Sequence, residues 1–346
     1  MKVVLTGGGT AGHILPNIAL VPDLRARKAD ILYIGNADGM EQDICRRNCI
    51  PLRHCDSIKF DRGHMGRNLA IPFVLPGCVR KAKKILRDFG ADVVFSKGGY
   101  VALPVVLAAK SLRIPIVCHE SDASLGLSNR IAARYARYVL LADEQAYDAD
   151  NAVVVGNPLR EQLFRGNAEI VRARHRIPDG APVLLIVGGS LGAQAINRVV
   201  LQTLDALCER YFVLHVVGKD KSDVRHARYA QIEYAQDIEH YLTAADVIVS
   251  RCGAGVSGEI TALGKRVVYV PLPAGNSRGD QVLNARKLAD RRLAILLDQS
   301  DLTPDTLVAA IERARHMELS ASGYDRDTPA KIVEYICRAA RESSGS

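Results

Sequence analysis

Lys2-Val-Val-Leu-Thr-Gly-Gly-Gly-Thr-Ala-Gly-His13 stands near the start of the chain, and Val183-Leu-Leu-Ile-Val-Gly-Gly-Ser-Leu-Gly-Ala-Gln194 follows about half a chain later. Each reads as a short buried strand, a tight turn and the start of a helix. Such a turn points backbone N–H groups and the positive end of a helix dipole at one spot, which suits phosphate. One turn of this kind is a weak signal of a nucleotide site. Two of them, heading two similar halves, predict two facing Rossmann-like domains with a ligand between them.

The flanking sequence supports that architecture. Up to about residue 157, candidate strands lie at Lys2–Thr6, Ile31–Ile34, Asp92–Ser96, Ile116–His119, Tyr138–Leu141 and Ala152–Val155. Helices fit between them, near Ile14–Lys28, Val79–Phe89 and Pro104–Leu112. Gly156-Asn-Pro-Leu-Arg160 breaks the pattern and reads as a hinge. Alternation resumes at Val183–Val187 and continues through Phe212–Val217, Ile232–Tyr234, Val247–Ser250, Arg266–Val270 and Ala294–Leu297. A helix is expected over Pro329–Arg341, before a frayed Ser343–Ser346. Strands alternating with helices predict parallel sheets covered on both faces.

The bulk composition narrows the class. The chain has 346 residues, 48% hydrophobic and 24% charged, as in a globular protein of two domains. No apolar run is long enough to span a bilayer, and Met1–Thr6 passes directly into a strand without the layout of a secretory signal. A cytoplasmic protein with reduced cysteines is the expectation. A net charge of +8 favours anionic partners. Nucleic acid fits worst among them, because tryptophan is absent, aromatics are 5% and no recognition motif appears.

Several motifs carry candidate chemistry. G-x-G-x-x-G can be laid on Gly7, Gly9 and Gly12, but the second strand ends in Gly35-Asn36-Ala37, without the acid that a dinucleotide site requires. His13 at the helix start is a candidate ligand contact or general base, with helix capping as the plainer alternative. Ser190 offers a hydroxyl to a phosphate. Ser250-Arg-Cys-Gly-Ala-Gly-Val-Ser-Gly-Glu259 is a third turn after a strand, and Glu259 suits both hydroxyls of a ribose or, more plainly, the helix dipole. Asp280 and Gln281 suit sugar hydroxyls. Asp148-Ala-Asp150 spells a metal-holding D-x-D but reads as a solvated turn. Cys45, Cys49, Cys55 and His54 lie close together without the paired spacing of a zinc site, so no metal site is expected. Leu69-Ala-Ile-Pro-Phe-Val-Leu75 is apolar, with prolines that discourage a buried strand, and Arg80, Lys81, Lys83, Lys84 and Arg87 follow it. That pairing fits an anionic membrane surface as well as it fits a core loop with a solvated basic helix.

Taken together and in order, Gly7–Pro16, Lys97-Gly-Gly-Tyr100, His119-Glu120, Gly156–Arg160, Gly188–Ala193, Glu259 and Asp280-Gln281 resemble the MurG family over nearly the whole chain. The resemblance implies a GT-B fold, α/β, with residues 1–157 and a C-terminal helix of about 325–346 on the acceptor and membrane side. Residues 158–324 would bind UDP-GlcNAc. It also implies inverting transfer of GlcNAc to the C4 hydroxyl of the muramyl sugar of lipid I, giving lipid II for peptidoglycan. Carried over, Ser190 meets the diphosphate, Arg160 lies near the nucleotide, and the backbone at Ala235 faces uracil. Ala254, Gly255, Val256 and Glu259 hold diphosphate and ribose, and Gln281 with Asp280 reads GlcNAc. Thr10, Ala11, Gly12 and His13 line the acceptor side.

In this reading His13 is the candidate base, with Glu120 behind it. Ala11 stands where the family turn usually has glycine, which raises the question of an unusual backbone angle. Asp122 replaces an asparagine at a donor contact, and Asp280 replaces a glutamine. No tightly bound cofactor is implied, and a divalent cation enters only as a stimulant. The lipid acceptor turns Leu69, Ile71, Phe73, Leu75, Arg80, Lys81, Lys83 and Lys84 into a docking patch for the cytoplasmic membrane face. A UDP-GlcNAc 2-epimerase and an inactive UDP-sugar-binding protein are the competing classes.

Overall fold

Val3 and Leu5 point to one side of the first strand and Val4 to the other, and all three are fully buried. A strand buried on both faces belongs in a parallel sheet between two helix layers. The computed structural model describes residues 1–37, 39–55, 57, 71–188, 193–218, 221–273 and 279–344, with the backbone alone at 71, 72, 145, 343 and 344. Ser190 and Leu69 lie outside the described residues, as do Ile58, Ser277 and Arg278.

The chain divides into two units, Met1–Arg160 with Asp325–Ser346, and Glu161–Tyr324. In the first, β1 (Lys2–Thr6), β2 (Asp30–Gly35), β3 (Leu52–His54), β4 (Val93–Ser96), β5 (Ile116–Glu120), β6 (Tyr138–Leu141) and β7 (Ala152–Val154) form one parallel sheet in the order β3-β2-β1-β4-β5-β6-β7. In the second, β8 (Val183–Val187), β9 (Phe212–Val216), β10 (Tyr229–Ile232), β11 (Val247–Ser250), β12 (Arg266–Tyr269) and β13 (Ile295–Leu296) form another, ordered β10-β9-β8-β11-β12-β13. Both sheets begin in the middle, grow one way and then the other. The reversal opens a crevice beyond the carboxyl ends of β1 and β4, and of β8 and β11, where such sheets bind ligands.

Some elements depart from expectation. Leu52–His54 is an added edge strand, too short and too polar at Arg53 to show alternation. The third strand of the second unit lies at Tyr229–Ile232 because Tyr229 registers with Val213, and Tyr234 is left exposed. The long first helix is split into Ala11–Ala19 and Val21–Ala26, with Pro22 in the first turn of the second. The basic helix starts earlier, as Ile71–Phe89. Pro72 falls in its first turn, where an N–H has no helical partner, and Pro76 forfeits one bond. Cys78, Ala82 and Leu86 form its buried stripe, while Phe73 is 85% exposed and Arg80, Lys81, Lys84 and Arg87 face solvent.

The helix Thr328–Ser344 closes the first unit. Ile332, Val333, Ile336 and Ala339 recur at helical spacing and are buried against Val3, Leu5, Val93 and Phe95. Thr328 Oγ1 donates to the Val155 carbonyl at 3.1 Å. At the other end the Glu342 carboxylate accepts from Arg137 Nε at 2.8 Å, from Arg338 Nε at 3.0 Å and from Tyr138 Oη at 3.0 Å. Ile336→Ala is expected to cost about 3 kcal/mol through a cavity in this layer. Hydrogen exchange should show protection falling in β1, β4 and β5 and holding in β8 and β11. Equal loss in both sheets would contradict this placement.

Candidate functional site

The crevice of the first unit is built around Gly7–Gly9. Tyr33 is buried in β2, and its hydroxyl donates to the Gly7 carbonyl at 2.5 Å. Asn17, also buried, donates its amide to Tyr33 Oη at 3.0 Å and to the Thr6 carbonyl at 3.3 Å. On the far side the Gly9 N–H donates to Glu41 Oε1 at 3.0 Å. The turn is thus held by groups that reach it from other elements, and the bonds of Tyr33 and of Asn17 to Tyr33 and Thr6 are buried, with little water to compete.

Thr10 then caps the helix Ala11–Ala19 without using its side chain for the cap. Its hydroxyl instead lies 2.9 Å from His13 Nδ1, so the imidazole is oriented by the residue one turn before it. The half-buried His13 ring lies against Gly99, where a Cβ would stand 3.4 Å from the ring and 2.6 Å from the Gly8 carbonyl. Gly99 has φ +80, a second reason that only glycine suits the site. Ala11 is the first helical residue and is not among the non-glycine residues with positive φ. The alanine therefore asks nothing unusual of the backbone.

Lys97 and Glu120, at the ends of β4 and β5, form the charged floor. Lys97 is 2% exposed and Glu120 5%. Glu120 Oε1 accepts from the Ser121 and Asp122 N–H groups at 3.0 and 3.1 Å, and Oε2 from the Gly126 N–H and Asn129 Nδ2 at 2.9 and 3.1 Å. Burial alone would raise this carboxyl, but the Lys97 charge and these donors outweigh it and hold it below the ordinary carboxylate range. With both oxygens committed, Glu120 organises the loop that carries half-buried Asp122, which is a different task from taking a substrate proton. His119 is buried too, and its Nε2–H donates to the Gly156 carbonyl at 2.9 Å. Burial and the Lys97 charge push its pKa down to about 3, so the ring is neutral at working pH.

The second unit supplies a helix end. β11 runs into Arg251-Cys-Gly253, and Gly253 caps the helix Ala254–Ala262 with no side-chain cap and no acid in the first turn. The Ser257 N–H bonds back to Gly253, so the N–H groups of Ala254, Gly255 and Val256 project from the end of the helix. Buried Arg251 fixes this edge by donating to the Val270 and Pro271 carbonyls at 2.8 and 3.1 Å and to Gln299 Oε1 at 2.7 Å. Glu259 is half-buried further along that helix. Asp280, 7% exposed, begins the helix Asp280–Asp290. Gln281 Oε1 accepts from the Leu272 N–H at 3.0 Å and ties that helix to the end of β12. Ala235 is buried just after β10, and Arg160 is half-buried at the boundary of the first unit.

Among the described residues, no group of three or more His, Cys, Asp or Glu side chains could hold a metal ion. Cys49 is exposed, Cys45 is buried, and the Cys55 thiol donates to the Cys78 carbonyl at 3.3 Å.

Comparison with known proteins gives the family and the fold. The glycosyltransferase family 28 N-terminal domain matches residues 3–141, and the family 28 C-terminal domain matches residues 183–333. The chain belongs to glycosyltransferase family 28, in its MurG branch. A Lachnoclostridium phytofermentans protein called UDP-N-acetylglucosamine--N-acetylmuramyl-(pentapeptide) pyrophosphoryl-undecaprenol N-acetylglucosamine transferase is 38% identical, covering 97% of this chain and 98% of its own. A Clostridium kluyveri protein of the same name is 36% identical, with 96% of each covered. The crystal structure of Acinetobacter baumannii MurG superposes with TM-score 0.71 at 26% identity, covering 97% of this chain and 99% of that one. A Neisseria meningitidis UDP-GlcNAc 2-epimerase shares the fold at TM-score 0.70 and 15% identity, over 98% of this chain and all of its own. The fold is GT-B.

Tyr33, Glu41, Lys97 and Asn129 are site residues that sequence reading missed as individuals. Lys97 could have been found from its place between a buried strand and two glycines, where a charge is costly unless it has a task.

In this family 28 chain, Lys97→Met and Glu120→Gln should each lower stability by about 3 kcal/mol, because each leaves a buried charge without its counterpart. The double substitution should cost less than the sum. The folded Glu120 carboxyl lies below its unfolded value. Its contribution is therefore complete above the ordinary carboxylate range and is lost as pH falls through the folded value. In Lys97→Met that loss should begin at higher pH. Denaturation midpoints measured from pH 3 to 7 test this, and strict additivity would refute the coupling.

Proposed function

We propose that this protein transfers N-acetylglucosamine from UDP-GlcNAc to the C4 hydroxyl of the N-acetylmuramyl unit of lipid I, with inversion, giving lipid II for peptidoglycan. The observation that carries this reading is relatedness at 36–38% identity across almost the whole length of transferases bearing that name. It covers both units, so it includes the strand ends that donor and acceptor would each require.

The chemistry follows from the two sites. When His13 Nδ1–H donates to Thr10 Oγ1, Nε2 keeps its lone pair and serves as the base. The acceptor O4 gives its proton to Nε2 as it forms a bond to the anomeric carbon, and the bond from that carbon to the UDP oxygen breaks. Thr10, Ala11 and Gly12 line the acceptor. The charge that develops on the diphosphate is met by the N–H groups of Ala254, Gly255 and Val256, preorganised donors of the kind that lower such barriers most, and by the hydroxyl of Ser190. Glu259 takes the ribose hydroxyls, Asp280 and Gln281 the sugar, the backbone at Ala235 the uracil, and Arg160 the nucleotide. Asp122 contacts the donor from the loop that Glu120 organises. Under this reading no tightly bound cofactor is needed, and a divalent cation only adds to the field at the diphosphate.

Labelled UDP-GlcNAc with a lipid I analogue should yield labelled lipid II, and UDP-GlcNAc alone should remain unchanged. Conversion of UDP-GlcNAc without an acceptor would favour the epimerase class instead. His13→Ala should lower kcat by ~10²–10⁴ at saturating substrates. Near-normal turnover would remove His13 as the base.

In this reading the protein works at the cytoplasmic membrane face, where it would meet the lipid-tailed acceptor. No helix among the described residues is long and apolar enough to cross a membrane. Exposed Phe73 at the head of the helix Ile71–Phe89, with Arg80, Lys81, Lys83 and Lys84 along it, supports peripheral docking on anionic lipid. Each such cation is worth roughly 1 kcal/mol at the surface. Replacing Lys81, Lys83 and Lys84 by glutamate should therefore weaken binding to anionic vesicles by at least about a hundredfold. Unchanged sedimentation with such vesicles would rule the patch out as the anchor.

A further inference from the structure

Glu41 is fully buried at the start of the helix Glu41–Arg47, just after β2, and no step of the proposed transfer uses it. Three glycines clear the space it fills. A Cβ at Gly8 would stand 1.9 Å from its Oε1, one at Gly39 would stand 1.8 Å from its Oε2, and one at Gly35 would stand 3.2 Å from its Cγ. Alanine at Gly8 or Gly39 would press on the carboxylate and alanine at Gly35 would crowd its stem, so backbone from the first turn and from the end of β2 and its loop leaves room for one side chain. A sealed carboxylate is costly unless its hydrogen bonds repay the lost hydration. Oε1 accepts from the Gly9 N–H at 3.0 Å, and Oε2 has no partner among the described residues. The bond to Gly9 is therefore the interaction that the site is arranged around.

That bond lies one residue before Thr10 and four before His13. Tyr33 holds the turn at the Gly7 carbonyl, and Glu41 holds it at the Gly9 N–H. The two anchors flank Gly8 and determine where the backbone delivers Thr10. Thr10 in turn sets the His13 ring through Oγ1 and Nδ1.

We propose that Glu41 is a positioning residue for the transfer, a buried strut whose hold on the Gly9 N–H places the Thr10–His13 pair against the acceptor hydroxyl. The proposal rests on the reading of His13 as the acceptor-side base. A displacement of about 1 Å in a reacting group can cost about a hundredfold in rate, so the strut acts on the chemical step while it touches no substrate.

Two substitutions separate reach from charge. Glu41→Gln keeps the reach and an oxygen acceptor for Gly9 but loses the charge. Glu41→Asp keeps the charge but is one methylene too short. The expected order of kcat is wild type, then Glu41→Gln about threefold to tenfold lower, then Glu41→Asp about a hundredfold lower. The KM for UDP-GlcNAc should stay within twofold throughout, because no donor contact is assigned to the Gly7–His13 turn. Amide exchange across Gly7–His13 should quicken in Glu41→Asp and change little in Glu41→Gln. A kcat for Glu41→Asp at or above that of Glu41→Gln would overturn the proposal. So would a rise in donor KM matching the fall in kcat, or unchanged exchange at the turn. If wild type transfers nothing, the transfer reading fails, and the exchange measurement still decides whether Glu41 holds the turn.

Discussion

Every pair in both sheets is parallel, and that constraint governs the rest of the molecule. Parallel strands deliver all their carboxyl ends to one edge, and each following helix begins there with N–H groups that have no partner inside the helix. Polarity therefore accumulates at one edge of each sheet while the interior remains apolar. Evolution has furnished the two edges differently. In the first unit the edge holds an oriented imidazole and a sealed pair of charges. In the second it holds a glycine-capped helix end braced by a buried guanidinium. One suits handling a proton and the other suits holding an anion, which are the two requirements of glycosyl transfer to a hydroxyl.

Burial gives the charges at the first edge their effect. Lys97, His119 and Glu120 follow one another across two neighbouring strand ends, each nearly inaccessible to water. Burial, with the lysine charge second to it, keeps the imidazole neutral, and against burial the lysine charge and the amides that the carboxylate gathers from its own loop keep it ionised. The loop conformation is thus dictated by electrostatics inside the domain rather than by its exposed residues. A sequence change at Asp122 can alter a contact without disturbing the scaffold beneath it.

The parts of this structure legible in the sequence are those that depend on neighbours in the chain. Lys2–Thr6 and Val183–Val187 announce themselves as buried strands because apolar runs stop at glycine. His13 stands out because it follows a glycine turn at a helix start. Glu41 does not stand out: in the sequence it is one acid at the head of a short helix, where a dipole explanation suffices. Its meaning comes from Gly8 and Gly9 as well as from nearby Gly35 and Gly39, and the first two reach it only after β1 and β2 pair. The same holds for Tyr33, whose hydroxyl reaches Gly7 across the sheet. Glu120 is the converse case: its identity suggested a base behind His13, and its four donors become visible only in the structure. Pro72 and Pro76 argued against a buried strand, and the segment is instead the start of a helix that absorbs both.

The helix Thr328–Ser344 has a consequence for how the protein is made. Because it belongs to the first unit, the whole of Glu161–Tyr324 is an insertion within that unit. On the ribosome the second unit emerges complete before the segment that closes the first. Val3, Leu5 and Phe95 must therefore wait, with one face of their sheet uncovered, until Ile332 and Ile336 arrive. The basic helix and the histidine turn are synthesised first, but the unit that carries them is finished last. Vectorial synthesis thus gives the nascent chain a finished second unit before it has a finished first.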